Sequence, residues 1–589
     1  MCGLAGVIDF TRSVGEEPLR AVTTAMADSL VHRGPDDGGV WVDAAAGIGL
    51  GHRRLSIVDL SPAGHQPMVS ADGRYVIVYN GEVYSHQVLR TELEALGRRF
   101  RGHSDTEVIL EACAEWGVPA TVRRLIGMFA IALWDRKTRT LTLVRDRLGI
   151  KPLYWGRFGS LFLFGSELKA LRAHPGWRPE INRDAVVSFL RHNYVPAPHS
   201  IYLGVHKLEP GRILTLDADG VQTDETFWDA RAVALAGLAD PLQASDEEMT
   251  GQLDALLRDA VGRRMVADVP LGAFLSGGVD SSTVVAMMQA QSDRRIKTFS
   301  IGFDEAGFDE APHARAVAEH LGTDHTELYV RWDDALALVP KLSEWYDEPF
   351  ADSSQIPTFL VSEMTRRHVT VALSGDGGDE LFAGYNRYFL ASTLWRQMNR
   401  LPRPLRKLAS AGLRLPSQEA WDRLFRLVPA AFRLPQAGDK LHKLAAVLEK
   451  DDADAIYRRL VTHWDGDDET VAVGGIEPRG ILWDEALKTR IPGFVDRMQF
   501  LDTVTYLPDD ILTKVDRASM AVALEARVPL IDHRVVEFSW RLPASAKIRG
   551  GQGKWLLRRV LDRYVPRSLI ERPKMGFGVP VAAWLRALN

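Results

Sequence analysis

The segment from Val269 to Ser282, VPLGAFLSGGVDSS, constrains the fold of this chain more than any other. An apolar run of strand length ends on a Ser-Gly-Gly turn, and a helical pattern follows from Ser281 to Ala290. Strand, glycine turn and helix in that order open a βαβ unit. The rhythm continues with strand-like IKTFSIGF, a helical stretch from Ala311 to Leu321, strand-like HTELYV, further helix, and VTVALS ending at Ser374. Parallel strands require such crossovers, so this part predicts an α/β parallel sheet with helices on both faces. Ligands of such sheets bind beyond the C-terminal ends of the strands. From Asn386 on the pattern is mainly helical.

The first 170 residues read differently. CGLAGVIDF, GLGHRRLSIV, RYVIVYNGEVY, MFAIALWD and TLTLVRD are β-like runs bounded by Gly, Asp or Asn. Helical patterns at Pro18–Leu30, His86–Leu96 and Thr106–Trp116 fall between them without regular βαβ alternation, which predicts layered α+β. A stretch from Ala197 to Ala244, rich in Pro, Gly and Asp, reads as a connection with a β-hairpin near Gly211–Val221. The boundary is placed near Pro210, giving units 1–210 and 211–589, which suits a chain of 589 residues.

Charge narrows the function. Lys and Arg total 72 against 77 Asp and Glu, a net charge of −5, so no global attraction to nucleic acid or to an anionic membrane is expected. No apolar run approaches the length needed to span a bilayer, GMFAIALW being far too short, and MCGLAGVIDF has no basic stretch before its apolar residues, so it does not read as a secretion signal. Two cysteines, Cys2 and Cys113, make no disulfide framework. A reducing, cytoplasmic location is the expectation.

Cys2 carries the first chemistry. Removal of Met1 would place a thiol and a free α-amine on one residue, and an amine with a pKa of about 7.7–8.0 can serve as base for its own nucleophile. Downstream lie HRGPDD, GHRRLSIVD, YNGEVYSHQ and HSDTEV. An enzyme hydrolysing the glutamine amide needs a cation for the α-carboxylate, an anion for the α-amine and an oxyanion hole. Arg54, Asp105, and the Asn80 side chain with the Gly81 N–H supply those chemistries in turn. These segments, in this order over about 200 residues, resemble the glutaminase domain of class II glutamine amidotransferases, an N-terminal-nucleophile fold. The resemblance implies a sandwich fold, a Cys2 thioester, ammonia release, and a glutamine pocket lined by Arg54, Asn80, Gly81, Glu82 and Asp105. Cys113 fits no motif and reads as a core cysteine.

The second chemistry lies in two loops. Ser276, Gly277, Gly278, Asp280, Ser281 and Ser282 form a turn whose backbone N–H groups and helix N-terminus suit a phosphate, without the Lys of a Walker loop. Ser374-Gly-Asp-Gly-Gly-Asp-Glu380 follows a second strand, and Asp280 and Asp379 are hard oxygen ligands suited to Mg²⁺ beside ATP phosphates. SGGVDSS after a strand resembles the signature of ATP pyrophosphatases. Further on, Asp509, Asp510, Lys514 and Arg517 read by themselves as helix-surface charges. Leu507–Asp532 and Gly553–Leu561 nevertheless resemble the synthetase domain of asparagine synthetases, with Lys554 at the position of the lysine that stabilises the reacting phosphate and Leu275, Ile301, Ser374 and Gly375 at nucleotide-contacting positions. Taken whole, the resemblance implies glutamine, ATP and aspartate as substrates and a homodimer. Two departures bear on the acceptor. Phe350 and Ser353 stand where some relatives carry a Thr and an Arg implicated in aspartate binding, and Asp376 stands where they carry Glu. A different carboxylate, in a cell-wall precursor, a saccharide or a secondary metabolite, is the alternative. The chain also stops soon after KMGFGVP, earlier than the resemblance suggests.

Overall fold

The computed structural model describes residues 2–304, 309–428, 437–464 and 474–571; KMGFGVP lies outside them. Two six-stranded sheets form the first part. One contains Gly3–Asp9, Asp37–Asp43, Ile48–Arg54, Tyr154–Phe158, Leu161–Gly165 and Val205–Lys207; the other is centred on Tyr75–Val83, Gly127–Asp135 and Thr140–Arg145. Their strands pair antiparallel.

Alternation along the strands builds four layers. In Tyr75–Val83, Val76 and Val78 face the core between the sheets, while Tyr75, Ile77 and Tyr79 face helix Asp105–Trp116. Gly127–Asp135 repeats this, with Ala130, Ala132 and Trp134 inward and Phe129, Ile131 and Leu133 toward the helices. On the far side, Ala5 and Val7 pack against Leu19 and Met26 of helix Glu16–Asp28. The result is the helix–sheet–sheet–helix sandwich that the sequence predicts. Cys113 is buried in the helix-side core.

The hairpin belongs to this sandwich. Arg212–Leu216 pairs with Thr140–Arg145, and Gln222–Thr226 adds the edge strand. Ladder hydrogen bonds therefore extend this sheet to Thr226. The following helix, Ala230–Ala239, packs instead on Trp540 of helix His533–Arg541 through Gly237, where a Cβ would lie 2.7 Å from Trp540 atoms.

The second part is a five-stranded, all-parallel sheet in the order Asp324–Val330, Lys297–Phe303, Leu271–Phe274, Val371–Leu373, Glu525–Arg527. Helices cover both faces: Val284, Val285 and Met288 lie in the core on one, and Phe359, Leu360 and Met364 on the other. Strand order reverses between Leu271–Phe274 and Val371–Leu373, the two strands that precede the Gly/acid loops. Such a switch point is where an open parallel sheet leaves a crevice for ligand. Beyond Asn386 the described residues are mainly helical.

The two parts share one core. Leu55, Ile57, Tyr84, Met128, Leu148 and Ile150 of the sandwich belong to the same buried cluster as Leu253, Leu257, Val284 and Leu530.

Candidate active sites

Cys2 sits buried just ahead of the first strand. Its N–H donates to Asn80 Oδ1 at 3.0 Å, and its carbonyl accepts from Arg33 Nε at 3.1 Å. Burial pushes the thiol above its ordinary value, so the thiol needs a base before it can attack. Asn80 is fully buried, and among the described residues its Nδ2 has no hydrogen-bond partner. A buried amide donor without a partner is costly, and it suits a developing oxyanion. Gly81 is required by packing: a Cβ there would lie 2.1 Å from the Met128 carbonyl.

Four of the five predicted glutamine-pocket residues converge; Asn80 does not line the pocket but is bonded to Cys2 N. Cys2, Arg54, Gly81, Glu82 and Asp105 line one pocket with Tyr79 and Gln66. Ser104 caps helix Asp105–Trp116, which aims Asp105 at the pocket, where its Oδ2 accepts from Tyr79 Oη at 2.8 Å and from Val83 N at 2.9 Å. Burial and Asp105 push Glu82 well above the usual carboxylate range, with Arg527 pulling the other way. Arg54 is turned onto the 58–61 loop, donating to the Ser61 and Asp59 carbonyls. The pocket holds only about 30 Å³, less than a glutamine molecule occupies.

The second site is a cleft of about 1000 Å³ at the switch point. Helix Val279–Gln289 starts at Gly278 with no side-chain cap, leaving first-turn N–H groups for an anion. Ser276 Oγ and Ser281 Oγ lie 3.0 Å apart and brace the turn. The second loop interlocks with the first: a Cβ on Gly375 would lie 2.6 Å from Ser281 N, and one on Gly378 2.5 Å from Asp280 Oδ1. Lys554 Nζ bridges the loops, bonding Asp280 and, at 2.7 Å, Asp379. Burial would lower its pKa, but those two carboxylates hold it above the ordinary lysine value. Leu275, Ile301, Ser374, Gly375 and Asp376 also line the cleft.

Two predicted contacts are not lining residues. Gly277 makes the turn, at φ 71°, and packs on helix Ala311–Leu321, where a Cβ would lie 2.8 Å from Ala314 N. Ser282 is fully buried inside the helix. The carboxylates of Asp280 and Asp379, beside phosphate oxygens, fit the oxygen preference of Mg²⁺.

The charges of the 509–517 segment are not on a surface. Asp509, Asp510, Lys514 and Arg517 are all buried. Lys514 Nζ donates to Asp352 Oδ2 at 2.6 Å and to Ser354 Oγ at 2.7 Å, on the cleft wall. Arg517 reaches back to Glu167 of the sandwich at 2.9 Å. Asp516 accepts from Arg33 at 2.9 and 3.1 Å and from Lys151 at 3.0 Å. Arg33 therefore holds the Cys2 carbonyl with one edge and the second part of the molecule with the other. Neither Arg33 nor Asp516 stands out in sequence, because neither partner is near the other along the chain.

An antiparallel sandwich with a buried N-terminal cysteine, joined to a phosphate cleft at a parallel-sheet switch point, defines a two-site amidotransferase. Residues 1–228 match the family described as glutamine amidotransferase domain, and residues 252–589 match asparagine synthase. The chain belongs to the asparagine synthase family and is a glutamine-dependent amidotransferase of that type. It is 32% identical to asparagine synthetase (glutamine-hydrolyzing) 1 of Bacillus subtilis, over 100% of this chain and 88% of that protein. It is 30% identical to asparagine synthetase (glutamine-hydrolyzing) 3 of the same organism, over 98% and 87%. A relative named amidase chry2, from Gibberella zeae, is 29% identical over 95% of this chain and 84% of that protein. No described helix is long and apolar enough to cross a membrane.

Proposed function

We propose that the chain makes asparagine from aspartate, glutamine and ATP, in a reducing, cytoplasmic setting that keeps its two thiols free. At the first site the Cys2 α-amine, exposed by loss of Met1, takes the thiol proton. The sulfur attacks the glutamine amide carbon, while Asn80 Nδ2–H and Gly81 N–H hold the oxyanion. The amine returns the proton to the departing ammonia, and water hydrolyses the thioester to glutamate. Asp105 and Glu82 face the substrate's α-amine, and Arg54, released from its loop, grips the α-carboxylate.

At the second site an acceptor carboxylate oxygen attacks the α-phosphorus of ATP, and pyrophosphate leaves. The first-turn N–H groups and Ser276 and Ser281 hold phosphate oxygens, and Lys554 swings from its carboxylates to the charge that develops on phosphate. Asp280 and Asp379 would hold Mg²⁺, which supplies charge neutralisation on the phosphates. Ammonia then attacks the acyl carbon, and AMP departs. Arg33 carries the two-site reading: a single buried guanidinium bonds both the Cys2 carbonyl and Asp516 of the synthetase half, so a buried contact links the two sites.

A second reading keeps this chemistry with another acceptor. Phe350 stacks on Tyr346 at 4.6 Å and does not line the cleft, and the Lys514 ammonium is already bound by Asp352 and Ser354. Ser353 does line the cleft, but neither it nor Phe350 carries a cation for a second carboxylate. Pyrophosphate release with glutamine, ATP and Mg²⁺, with and without aspartate, decides. Aspartate-dependent release with matching asparagine supports the first reading. Glutaminase turnover without aspartate stimulation supports the second.

A further inference from the structure

The pocket around Cys2 contains one residue from the other half of the molecule. Glu525 lies in the synthetase part, yet it lines the same cavity as Cys2, Arg54, Glu82 and Asp105. It is fully buried. Burial pushes its carboxyl up, and Arg527 beside it pulls it down. Glu525 thus brings a carboxylate of the synthetase half, bonded to Arg527, into the cavity of the nucleophile.

Arg527 supports it from two residues on. Its Nε donates to Glu525 Oε1 at 2.6 Å, and its Nη2 donates to Glu82 Oε2 at 3.2 Å in the glutamine pocket. Nη1 is fixed by the Arg264 and Val266 carbonyls at 2.8 and 2.7 Å. The guanidinium is fully buried, so its planar fork sets the carboxylate positions rigidly. The same strand also meets the other site. The Arg527 carbonyl accepts from Ser374 N at 2.8 Å, the first residue of the loop that lines the nucleotide cleft. Glu525–Arg527 is the edge strand beside Val371–Leu373, and its ends are about 7 Å apart at strand rise.

We propose that Glu525 and Arg527 are positioning residues of the glutaminase site supplied by the synthetase half, and that this strand ties the glutamine pocket to the nucleotide loop. Glu525 orients the Cys2 α-amine for proton transfer. Arg527 sets Glu82, and a shift of the Ser374 loop on nucleotide binding is transmitted through the Arg527 carbonyl to both carboxylates. This rests on the reading of Cys2 as the glutaminase nucleophile.

The test uses the full chain with Glu525→Gln and Arg527→Lys, both close in shape to the native residues. The charged and titratable groups that line the pocket with Cys2 are Arg54, Tyr79, Glu82, Asp105 and Glu525, with Arg527 bonded to the two glutamates behind them. An anion beside an amine favours its protonated form, so Glu525→Gln should lower the amine pKa. The acid limb of the glutaminase kcat/KM profile should move down by about one pH unit, and its plateau should fall about tenfold or more. Arg527→Lys should raise KM for glutamine and cut the ratio of glutaminase rates with and without ATP by about fivefold or more. An unmoved acid limb with an unchanged ATP ratio overturns the proposal. So does a uniform loss of glutamine-driven and ammonia-driven synthesis with a lowered unfolding midpoint, which would make the strand merely structural. Glutamine-driven product surviving in Cys2→Ala would refute the nucleophile reading itself, an outcome distinct from wild-type behaviour of the two variants.

Discussion

Lys554→Ala is the most informative single substitution in the cleft. Lys554 is buried, its Nζ lies between Asp280 and Asp379, and the two loops leave room for it only because residue 384 is glycine: a Cβ there would lie 2.1 Å from Lys554 Cε. Removing the ammonium leaves two carboxylates beside the site of a polyphosphate. At an effective dielectric constant of about 20, one unit-charge pair about 4 Å apart is worth about 4 kcal/mol. Loss of one donor to developing charge typically costs about 2.7–4 kcal/mol, or about 10²–10³ in rate. The two routes agree, so kcat for amide synthesis should fall about 10²–10³-fold, whether glutamine or ammonia is the nitrogen source. Glutaminase turnover should remain within about threefold, because Lys554 lies outside the Cys2 pocket. Steady-state pyrophosphate release and glutamate formation, measured on the same preparation, separate the two. Synthesis within a few-fold of wild type would refute the role of Lys554; equal loss of both activities would refute the assignment of separate sites.

Four further outcomes follow from the geometry. Asn80→Ala removes the unpartnered buried amide donor and should cut glutaminase kcat about 10²–10³-fold while ammonia-driven synthesis continues, as paired assays will show. Gly375→Ala places a Cβ 2.6 Å from Ser281 N and should abolish nucleotide binding by calorimetry without stopping glutamine hydrolysis. Asp516→Asn leaves Arg33 and Lys151 buried without their shared counter-charge and should lower stability in denaturant by about 3–5 kcal/mol; a loss under about 1 kcal/mol would contradict the interdomain clamp. Glu380 is pushed up to about 7 by burial and Asp379. Its folded pKa lies above its unfolded one, so its contribution is fully present below about pH 4.5 and lost as pH rises through about 7. That gap corresponds to about 3 kcal/mol, and Glu380→Gln should flatten the stability profile between pH 5 and 8 by about that amount.

The legible parts of this molecule are those whose chemistry is local. SGGVDSS and SGDGGDE each place turn, donors and carboxylates within one short segment, and each follows a strand, so cleft and switch point could be read together. Cys2, Arg54, Asn80 and Asp105 were legible because their short motifs occur together and in order. Motif membership still overstates contact: Gly277 and Ser282 belong to the phosphate turn but serve its backbone and its packing. The hairpin after Pro210 was visible from its turn residues, but which sheet edge it joins depends on pairing with Thr140–Arg145, which no local pattern reports. Arg33, Glu525 and Arg527 were missed for the same reason. Their partners lie 483 residues away in the case of Arg33 and Asp516 and 445 in the case of Arg527 and Glu82. Lys514 and Arg517 looked like helix-surface charges because sequence spacing shows intrahelical neighbours and not the Asp352 and Glu167 brought to them by the fold.

The central claim is that Cys2 makes ammonia at one site for use at another. The most direct test is amide product formation by Cys2→Ala with glutamine and, separately, with ammonium, at saturating ATP, Mg²⁺ and acceptor. The account predicts no product from glutamine and near wild-type product from ammonium. Product from glutamine in that variant, or loss of product from both sources in a folded protein, would contradict it.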